Sequence, residues 1–180
     1  MNAAVAPPLD HIDINTLGSG NRALFEYWLS LRKDGAIPVR TDFNPRRVQR
    51  ILSSLCLFQV WPGEGVSCRI AGTTIARALD MELTGKNYLE FTPPDFRRER
   101  LQRFTQYTTG MISRTIRELD LNSGQRMLVE EITLPFGDMQ EDGSMQVVVH
   151  VEGKMPDMQT HVVSSDRTLG APVIFESYAA

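Results

Sequence analysis

The sequence contains little cysteine, with only Cys56 and Cys68 in 180 residues. Two cysteines separated by eleven residues form neither a CxxC redox pair nor a four-ligand zinc site. The usual cysteine chemistries are therefore excluded. We expect both side chains to fill space in a core as small apolar groups.

The chain also lacks an excess of positive charge and any long apolar run. Its 19 Lys and Arg residues face 22 Asp and Glu, and the formal net charge is -3. Duplex-binding proteins draw most of their affinity from Lys and Arg, so we expect no nucleic-acid partner. No stretch approaches the ~20 apolar residues of a membrane span, and the first residues do not resemble a signal peptide. The sequence therefore predicts a cytoplasmic protein without membrane association.

The composition that is present fits one globular domain. Hydrophobic residues make up 42% and charged residues 23%, and 180 residues accommodate one core with terminal extensions. Residues 1–20 contain Pro and Gly without a sustained period, which predicts a flexible leader. Residues 21–154 form the predicted domain, and residues 155–180 form a C-terminal tail to which we assign no fixed structure.

Five strands and several helices are expected within this domain. Asn21 is a candidate N-cap for an amphipathic helix extending to Lys33, and Pro94 lies in the first turn of a longer helix. The predicted strands are rich in β-branched and aromatic residues and are bounded by turn residues; they are Leu55–Trp61, Val66–Ile70, Ile112–Asp120, Met127–Phe136 and Ser144–Glu152. The last three are expected to form an antiparallel meander, which indicates an α+β fold.

Three motifs resemble a known family. The string YWLSLRKDGAIPVRTDFNP (Tyr27–Pro45) is similar to the opening of a bacterial single-domain PAS family, formerly catalogued as a domain of unknown function. CRIAGT (Cys68–Thr73) is similar to that family's YRLAGT element, and LTGKN (Leu83–Asn87) to its LTGR turn. The resemblance implies a PAS-like five-stranded antiparallel sheet with helices on one face, an N-terminal amphipathic helix, and a cavity for a small ligand.

The residues do not support a cofactor or a catalytic site. Flavin-binding photosensor domains resemble one another in an Asn-Cys-Arg-Phe motif that is absent here. Haem needs an axial ligand, and His150, the one histidine in the predicted domain, alternates with Val147 and Val149 and so points away from the cavity side. No nucleophile has a defensible base nearby. We therefore predict neither flavin nor haem, no bound metal, and no enzymatic activity.

The predicted cavity lies between the inner sheet face and the helices from Thr73 to Thr109. Most candidate lining residues are apolar, which favours a small hydrophobic ligand with Tyr88 as the hydrogen-bonding group. The candidates are Tyr88, Leu101, Phe104, Met127, Val147 and Val149. A core filled completely by its own side chains is the competing interpretation.

Two further sets of residues are candidate partner-binding surfaces. The stripe on the first helix and the outward positions of the last strand predict either ordinary core packing or a homodimer contact, with equal weight; these residues are Leu24, Tyr27, Trp28, Leu31, Val148 and His150. The arginines of 46–50 and 97–103 could bind an anionic partner, but such clusters more often form a solvated face.

These observations predict a sensory or regulatory PAS module that binds a small ligand, a protein partner, or both. Signalling would proceed by protein-protein association through a separate signalling partner, because 180 residues leave no evident output segment. The alternatives are a structural adaptor with a packed core and, less favoured, an enzyme that uses the cavity.

Overall fold

A computed structural model describes residues 13–120, 126–153 and 174–179. Within them, three α-helices, α1 (Ser19–Ser30), α2 (Thr73–Leu79) and α3 (Pro94–Tyr107), accompany six strands. The strands are β1 (Leu55–Trp61), β2 (Gly65–Ala71), β3 (Met111–Asp120), β4 (Arg126–Pro135), β5 (Met145–Gly153) and β6 (Ile174–Ala179). Short 3₁₀ helices cover Ile14–Thr16, Arg40–Asp42, Pro45–Ser54 and Tyr88–Phe91. None of the described helices combines the length and apolar character needed to cross a membrane.

The strands form one antiparallel sheet in the order β2-β1-β5-β4-β3-β6. The predicted hairpin of β1 and β2 and the predicted meander of β3, β4 and β5 are confirmed. Pairing of β1 with β5 joins these two units, since Phe58 lies opposite Val147 and Cys56 opposite Val149. The α+β antiparallel fold expected from the sequence is therefore the fold observed.

Strand β6 departs from the expectation for the C-terminal tail. Residues 174–179 pair with β3 over six positions, from Met111 opposite Ala179 to Ile116 opposite Ile174. The sequence assigned no structure to 155–180, because its Pro and Gly content masked a short run of strand formers. The rest of that tail lies outside the described residues.

Both faces of the sheet are covered, and each carries its own apolar core. The inner core packs the sheet against α2 and α3 and includes Cys56, Phe58, Val60, Val66, Cys68, Leu83, Phe104, Tyr107, Val147 and Val149. The outer core packs the sheet against α1 and includes Leu17, Leu24, Phe25, Trp28, Phe43, Val48, Leu55, Leu57, Ile112, Ile132, Leu134, Phe136 and Val148. Burial on both faces leaves β1 almost without an exposed position.

The N-terminus of α1 is held by a carboxylate on the sheet. The helix begins at Ser19, two residues before the prediction, and Gly18 at the N-cap position contributes no side-chain bond. Glu152 accepts hydrogen bonds from the backbone N–H groups of Gly20, at 3.1 Å, and Asn21, at 2.8 Å. These N–H groups have no partner within the helix, and the helix dipole favours a negative charge there. The predicted capping role of Asn21 is wrong because β5 supplies the acceptor.

Asn21 instead lies inside a buried polar network on the outer face. Its side-chain Nδ2 donates to Glu130 Oε2 at 3.1 Å, and the backbone N–H of Gly18 donates to the same oxygen at 2.6 Å. The other oxygen, Glu130 Oε1, lies 2.6 Å from Arg114 Nη2. Arg114 also donates to the carbonyl of Thr16 at 3.1 Å. A buried carboxylate is tolerated here because an opposite charge and several donors surround it.

We expect Gly20→Ala to destabilise the protein by about 1–3 kcal/mol through overpacking, despite a helix-propensity gain of up to about 1 kcal/mol. A Cβ at this position would lie 2.5 Å from His150 Cε1, and that ring is fully buried. Urea unfolding would measure the difference. Gly65→Ala is the matched control, since a Cβ there meets nothing within 4 Å. Equal stability of the two variants would contradict the close contact.

Candidate functional site

A cavity lies between the inner sheet face and the helical segment that contains α2 and α3. Its volume is about 70 Å³, which is enough for several waters or a small organic molecule, since one water occupies roughly 10–15 Å³ on this measure. The apolar part of the wall consists of Cys56, Phe58, Ile75, Leu79, Leu83, Phe104, Val129, Val149 and Val151. The polar part consists of Tyr88, Arg100, Arg103, Tyr107, Arg117, Glu131 and Thr133.

Aromatic rings form one wall of the cavity. Phe58 packs against Tyr88 and Phe104, with ring centroids 4.8 and 5.1 Å apart. Phe104 lies 5.6 Å from both Tyr88 and Tyr107 in edge-to-face arrangements. Such pairs favour one geometry over others. The cluster connects β1, the 3₁₀ helix at Tyr88–Phe91, and α3, so the wall has a defined shape.

A buried ion pair crosses the sheet side of the cavity. Arg117 Nη2 on β3 lies 2.9 Å from Glu131 Oε1 on β4. Burial lowers the pKa of Arg117, but the charge of Glu131 and the neighbouring Tyr88 and Tyr107 raise it above its ordinary value. The guanidinium is therefore charged. The Arg117 side chain is buried, with the residue only 5% exposed, and its Nε has no hydrogen-bond partner. A buried donor without a partner is unusual.

The helical side of the cavity adds a second arginine. Arg100 Nη1 donates to the hydroxyl oxygen of Tyr88 at 3.0 Å, and its guanidinium carbon lies 5.5 Å from the centre of that ring. Burial raises the pKa of Tyr88, and the positive charge of Arg100 opposes the shift. The Tyr88 hydroxyl therefore keeps its proton at neutral pH, and a proton remains available for donation to a bound molecule.

The structure brings some of the predicted lining residues together and separates others. Tyr88, Phe104 and Val149 line the cavity. Val147 and Leu101 belong to the inner core but lie outside the wall formed by the described residues. The predicted position of Met127 in the wall is wrong: its side chain is 39% exposed, and it lies in the exposed first two residues of β4.

Several polar residues of the wall were not predicted from the sequence, which indicated a mostly apolar cavity with Tyr88 as its polar group. Thr115 lies directly opposite Glu131, and Arg117 opposite Val129, so Arg117 and Glu131 are diagonal neighbours on one face. Strand alternation would have placed Arg117 and Glu131 on the same face only if the register between β3 and β4 had been known. Arg100 and Arg103, predicted as part of a solvated face, also line the cavity.

The stripe on α1 packs within the chain. Leu24, Trp28 and Val148 are fully buried in the outer core, and Tyr27 and Leu31 are half-buried against it. Trp28 Nε1 donates to the carbonyl of Pro135 at 2.8 Å. Of the two interpretations left open, the structure supports core packing. A dimer contact through the stripe and the outward positions of β5 would need exposed side chains, and four of the six predicted residues are buried.

His150 is buried on the face opposite the cavity. Its orientation agrees with the predicted alternation, but the expected surface or interface position is wrong, because α1 covers the ring and leaves it 2% exposed. His150 Nδ1 lies 2.8 Å from Asn21 Oδ1. Asn21 Nδ2 already donates to Glu130, so Oδ1 is the acceptor and Nδ1 carries the proton. Burial lowers the pKa of His150 to about 4, with Glu130 opposing the shift.

The two cysteines lie in the inner core as free thiols, as predicted. The two side chains are hydrogen-bonded to each other. This hydrogen bond is the largest cause, and burial the next, of a pKa of Cys56 well above its ordinary value. Within 13–120, 126–153 and 174–179, no group of three or more His, Cys, Asp and Glu side chains could hold a metal ion.

An antiparallel sheet with helices enclosing a cavity on one face, and a further helix on the other, defines a layered α+β domain. The chain belongs to the PAS domain family, whose model, PAS_5, matches residues 18–147. This family match is consistent with the motifs between Tyr27 and Asn87. No curated protein matches the sequence significantly.

Several solved structures are similar to the chain at low sequence identity. The PAS domain of an HTR-like protein from Haloarcula marismortui is 14% identical, with a TM-score of 0.40, 61% of this chain covered and 90% of that chain. The PAS domain of BvgS from Bordetella pertussis is 12% identical, with a TM-score of 0.40 and coverages of 60% and 83%. The RsLOV d2 variant is 12% identical, with a TM-score of 0.38 and coverages of 62% and 67%.

We expect the stability of the protein to fall by about 2 kcal/mol between pH 7.5 and pH 5 on account of His150. The ring has a pKa of about 4 when folded and 6.5 in its ordinary state. The unfolded chain therefore binds the proton first, and the contribution is present above pH 6.5 and lost as the pH falls towards 4. Denaturant unfolding across this range would measure it. His150→Gln should remove this part of the slope; an unchanged slope would contradict the assignment.

Proposed function

We propose that the protein is a sensory or regulatory PAS module that binds a small ligand in the inner cavity and signals by protein-protein association. The observation that carries the proposal is the cavity of about 70 Å³ with a buried, partly unpartnered guanidinium in its wall. A core filled completely by its own side chains would leave no such space. Structural adaptors need no cavity, and no catalytic constellation accompanies this one among the described residues.

A route from the cavity to the other face of the sheet supports a signalling role. Glu131 pairs with Arg117 at the cavity, and the next residue along β4, Glu130, pairs with Arg114 and holds the N-terminus of α1. Successive residues of a strand point to opposite faces. A ligand that altered the Arg117–Glu131 pair would therefore act on the same strand segment that positions α1. We propose that α1 and the residues before it transmit the signal to a partner.

Several finer expectations remain predictions. A homodimer was expected from the stripe on α1, but these residues pack internally, so a dimer would use another surface. A separate signalling partner, the absence of flavin and haem, and a cytoplasmic location likewise rest on the sequence. The mass of the purified chain in solution would test the homodimer, and its visible absorption would test the absence of flavin and haem.

We expect Val149→Phe to be tolerated, with less than about 1 kcal/mol of destabilisation, because the larger ring can enter the cavity. Val149 lines the cavity, whereas Val147 is fully buried and lies outside its wall. Val147→Phe is therefore the matched control, with an expected loss of about 1–3 kcal/mol through overpacking. Thermal unfolding of both variants beside the wild type would measure the difference.

Mass spectrometry of the purified wild type under native and denaturing conditions completes this test. A co-purified small molecule that is absent from Val149→Phe would support ligand binding in the cavity. Equal destabilisation of both variants, together with no retained molecule, would favour the packed structural adaptor.

We expect Glu131→Gln to speed amide hydrogen exchange at the start of α1 by about two- to thirtyfold, a coupling typical of sites linked through packed elements. The Asn21 amide reports on this because it donates to Glu152 beside the Glu130 network. Glu118→Gln is the control, since its partner Arg126 lies 3.4 Å away at an exposed position. The transmission route would be contradicted if the two variants gave the same exchange rates.

A further inference from the structure

We infer that Arg46, Arg47 and Arg50 form a docking groove beside α1 for an acidic segment of a partner protein. The inference rests on the proposed function, because it specifies the chemistry of the partner to which α1 would transmit the signal. The sequence left open whether these arginines bind an anionic partner or form a solvated face. Their arrangement in the folded chain favours the partner.

The groove lies between α1 and the 3₁₀ helix Pro45–Ser54. Val48 is 5% exposed and packs into the outer core, which anchors this segment. The backbone bends at Val48, where φ is -119° and ψ is 27°, and arginines from both sides of the bend line one groove of about 260 Å³. The lining residues are Ala23, Arg46, Arg47, Val48, Gln49, Arg50 and Ile51. The groove therefore combines three guanidinium groups with short aliphatic side chains.

The side chains of these three arginines have no partner among the described residues, and they are exposed. By contrast, Arg22 is held by the carbonyl of Ile14 at 3.0 Å, and Arg97 by the carbonyl of Thr92 at 2.9 Å. No Asp or Glu of the described residues lines the groove. Fields of charges closer than the Debye length, about 8–10 Å, add to one another. The groove is therefore a local positive site on a chain with a net charge of -3.

A short acidic peptide segment is the occupant that this surface matches best. Guanidinium groups form paired hydrogen bonds with carboxylates. Pockets that enclose drug-sized molecules are mostly apolar and measure about 300–1,000 Å³, whereas this groove is smaller and rich in arginine. A long nucleic acid or a membrane surface would extend past the groove over a chain of negative net charge and be repelled there. A short acidic segment contacts the groove alone.

The groove also includes part of the helix through which the proposed signal passes. Ala23 lies on α1, two residues after Asn21, whose backbone N–H donates to Glu152 at 2.8 Å. A docked segment would contact α1 and the 3₁₀ helix Pro45–Ser54 together. A shift of α1 would therefore alter the groove, which links the state of the cavity to the affinity for the partner.

The test compares an acidic peptide with a neutral peptide of the same shape. A short fluorescein-labelled peptide that alternates Glu with Ala, and the same peptide with Gln in place of Glu, would be titrated with the full chain and followed by fluorescence anisotropy. Exposed ion pairs are individually weak, so three together should make the Glu peptide bind about three- to a hundredfold more tightly. Added salt should reduce this preference, because the pairs are exposed to solvent.

Charge reversal tests the role of the arginines. Arg47→Glu combined with Arg50→Glu should weaken binding of the Glu peptide by about tenfold or more, since attraction is replaced by repulsion. Arg77→Glu combined with Arg98→Glu is the matched control, because both residues are exposed, lie outside the groove and change the net charge equally. The control should keep most of the affinity. Urea unfolding would show that each variant is folded.

The outcomes separate this inference from the proposed function. Equal binding of the two peptides, or equal losses in the two double variants, would overturn the inference. Binding of a thymidine oligonucleotide or of phosphatidylserine vesicles through Arg47 and Arg50, without binding of the Glu peptide, would overturn it in favour of a nucleic acid or a membrane. Ligand binding in the cavity would stand in each case, since Val149→Phe tests it separately. Groove-dependent binding of the Glu peptide by a chain that retains no small molecule would support the inference and leave the cavity ligand without support.

Discussion

The Glu130 carboxylate joins three separate parts of the chain at one buried point. It pairs with Arg114 on β3 and accepts hydrogen bonds from Gly18 and Asn21, where α1 begins. Loss of one partner from a buried ion pair typically costs about 3–5 kcal/mol, because the remaining charge is left without compensation. The position of α1, and with it the cover over the outer face of the sheet, therefore depends on this group.

Because α1 covers the outer face and α2 and α3 cover the inner face, the sheet is buried on both sides. A sheet buried on both sides offers no solvent to charged residues on its central strands, so each needs a partner inside the fold. Glu130 has an opposite charge and several donors around it, whereas in the pair on the opposite face, Arg117 with Glu131, the Arg117 Nε is buried without a hydrogen-bond partner. The adjacent positions Glu130 and Glu131 on β4 therefore differ: the first completes a buried network that holds α1, and the second lines the cavity.

Local rules were overridden where tertiary groups supplied the same interaction. Asn21 is a good N-cap residue, yet the sheet provides Glu152 as the acceptor, and the Asn21 side chain is then free to bond with Glu130 and His150. The ring of His150 in turn packs against the helix at Gly20. An N-cap side chain contributes about 0.5–2 kcal/mol, and a carboxylate near a helix N-terminus contributes a similar amount, so Glu152 can replace the local cap.

Sequence patterns by themselves determined most of the secondary structure and indicated the family. Alternation in residues 144–152, turn residues between strands, and the motifs from Tyr27 to Asn87 placed β1 to β5 and α3 within a few residues of their observed bounds. These features are local, so a short window of sequence contains them. The lining residues Tyr88, Phe104 and Val149 followed from the same reasoning combined with the PAS-like layout.

Only the tertiary structure decided what the faces of the sheet contain. Pairing of β1 with β5, addition of β6 to β3, and the diagonal approach of Arg117 to Glu131 each join residues distant in sequence or set by register. A side chain's partner depends on that register, since a shift of one residue turns every side chain to the opposite face. Charge in the cavity and burial of His150 are therefore properties of the folded chain.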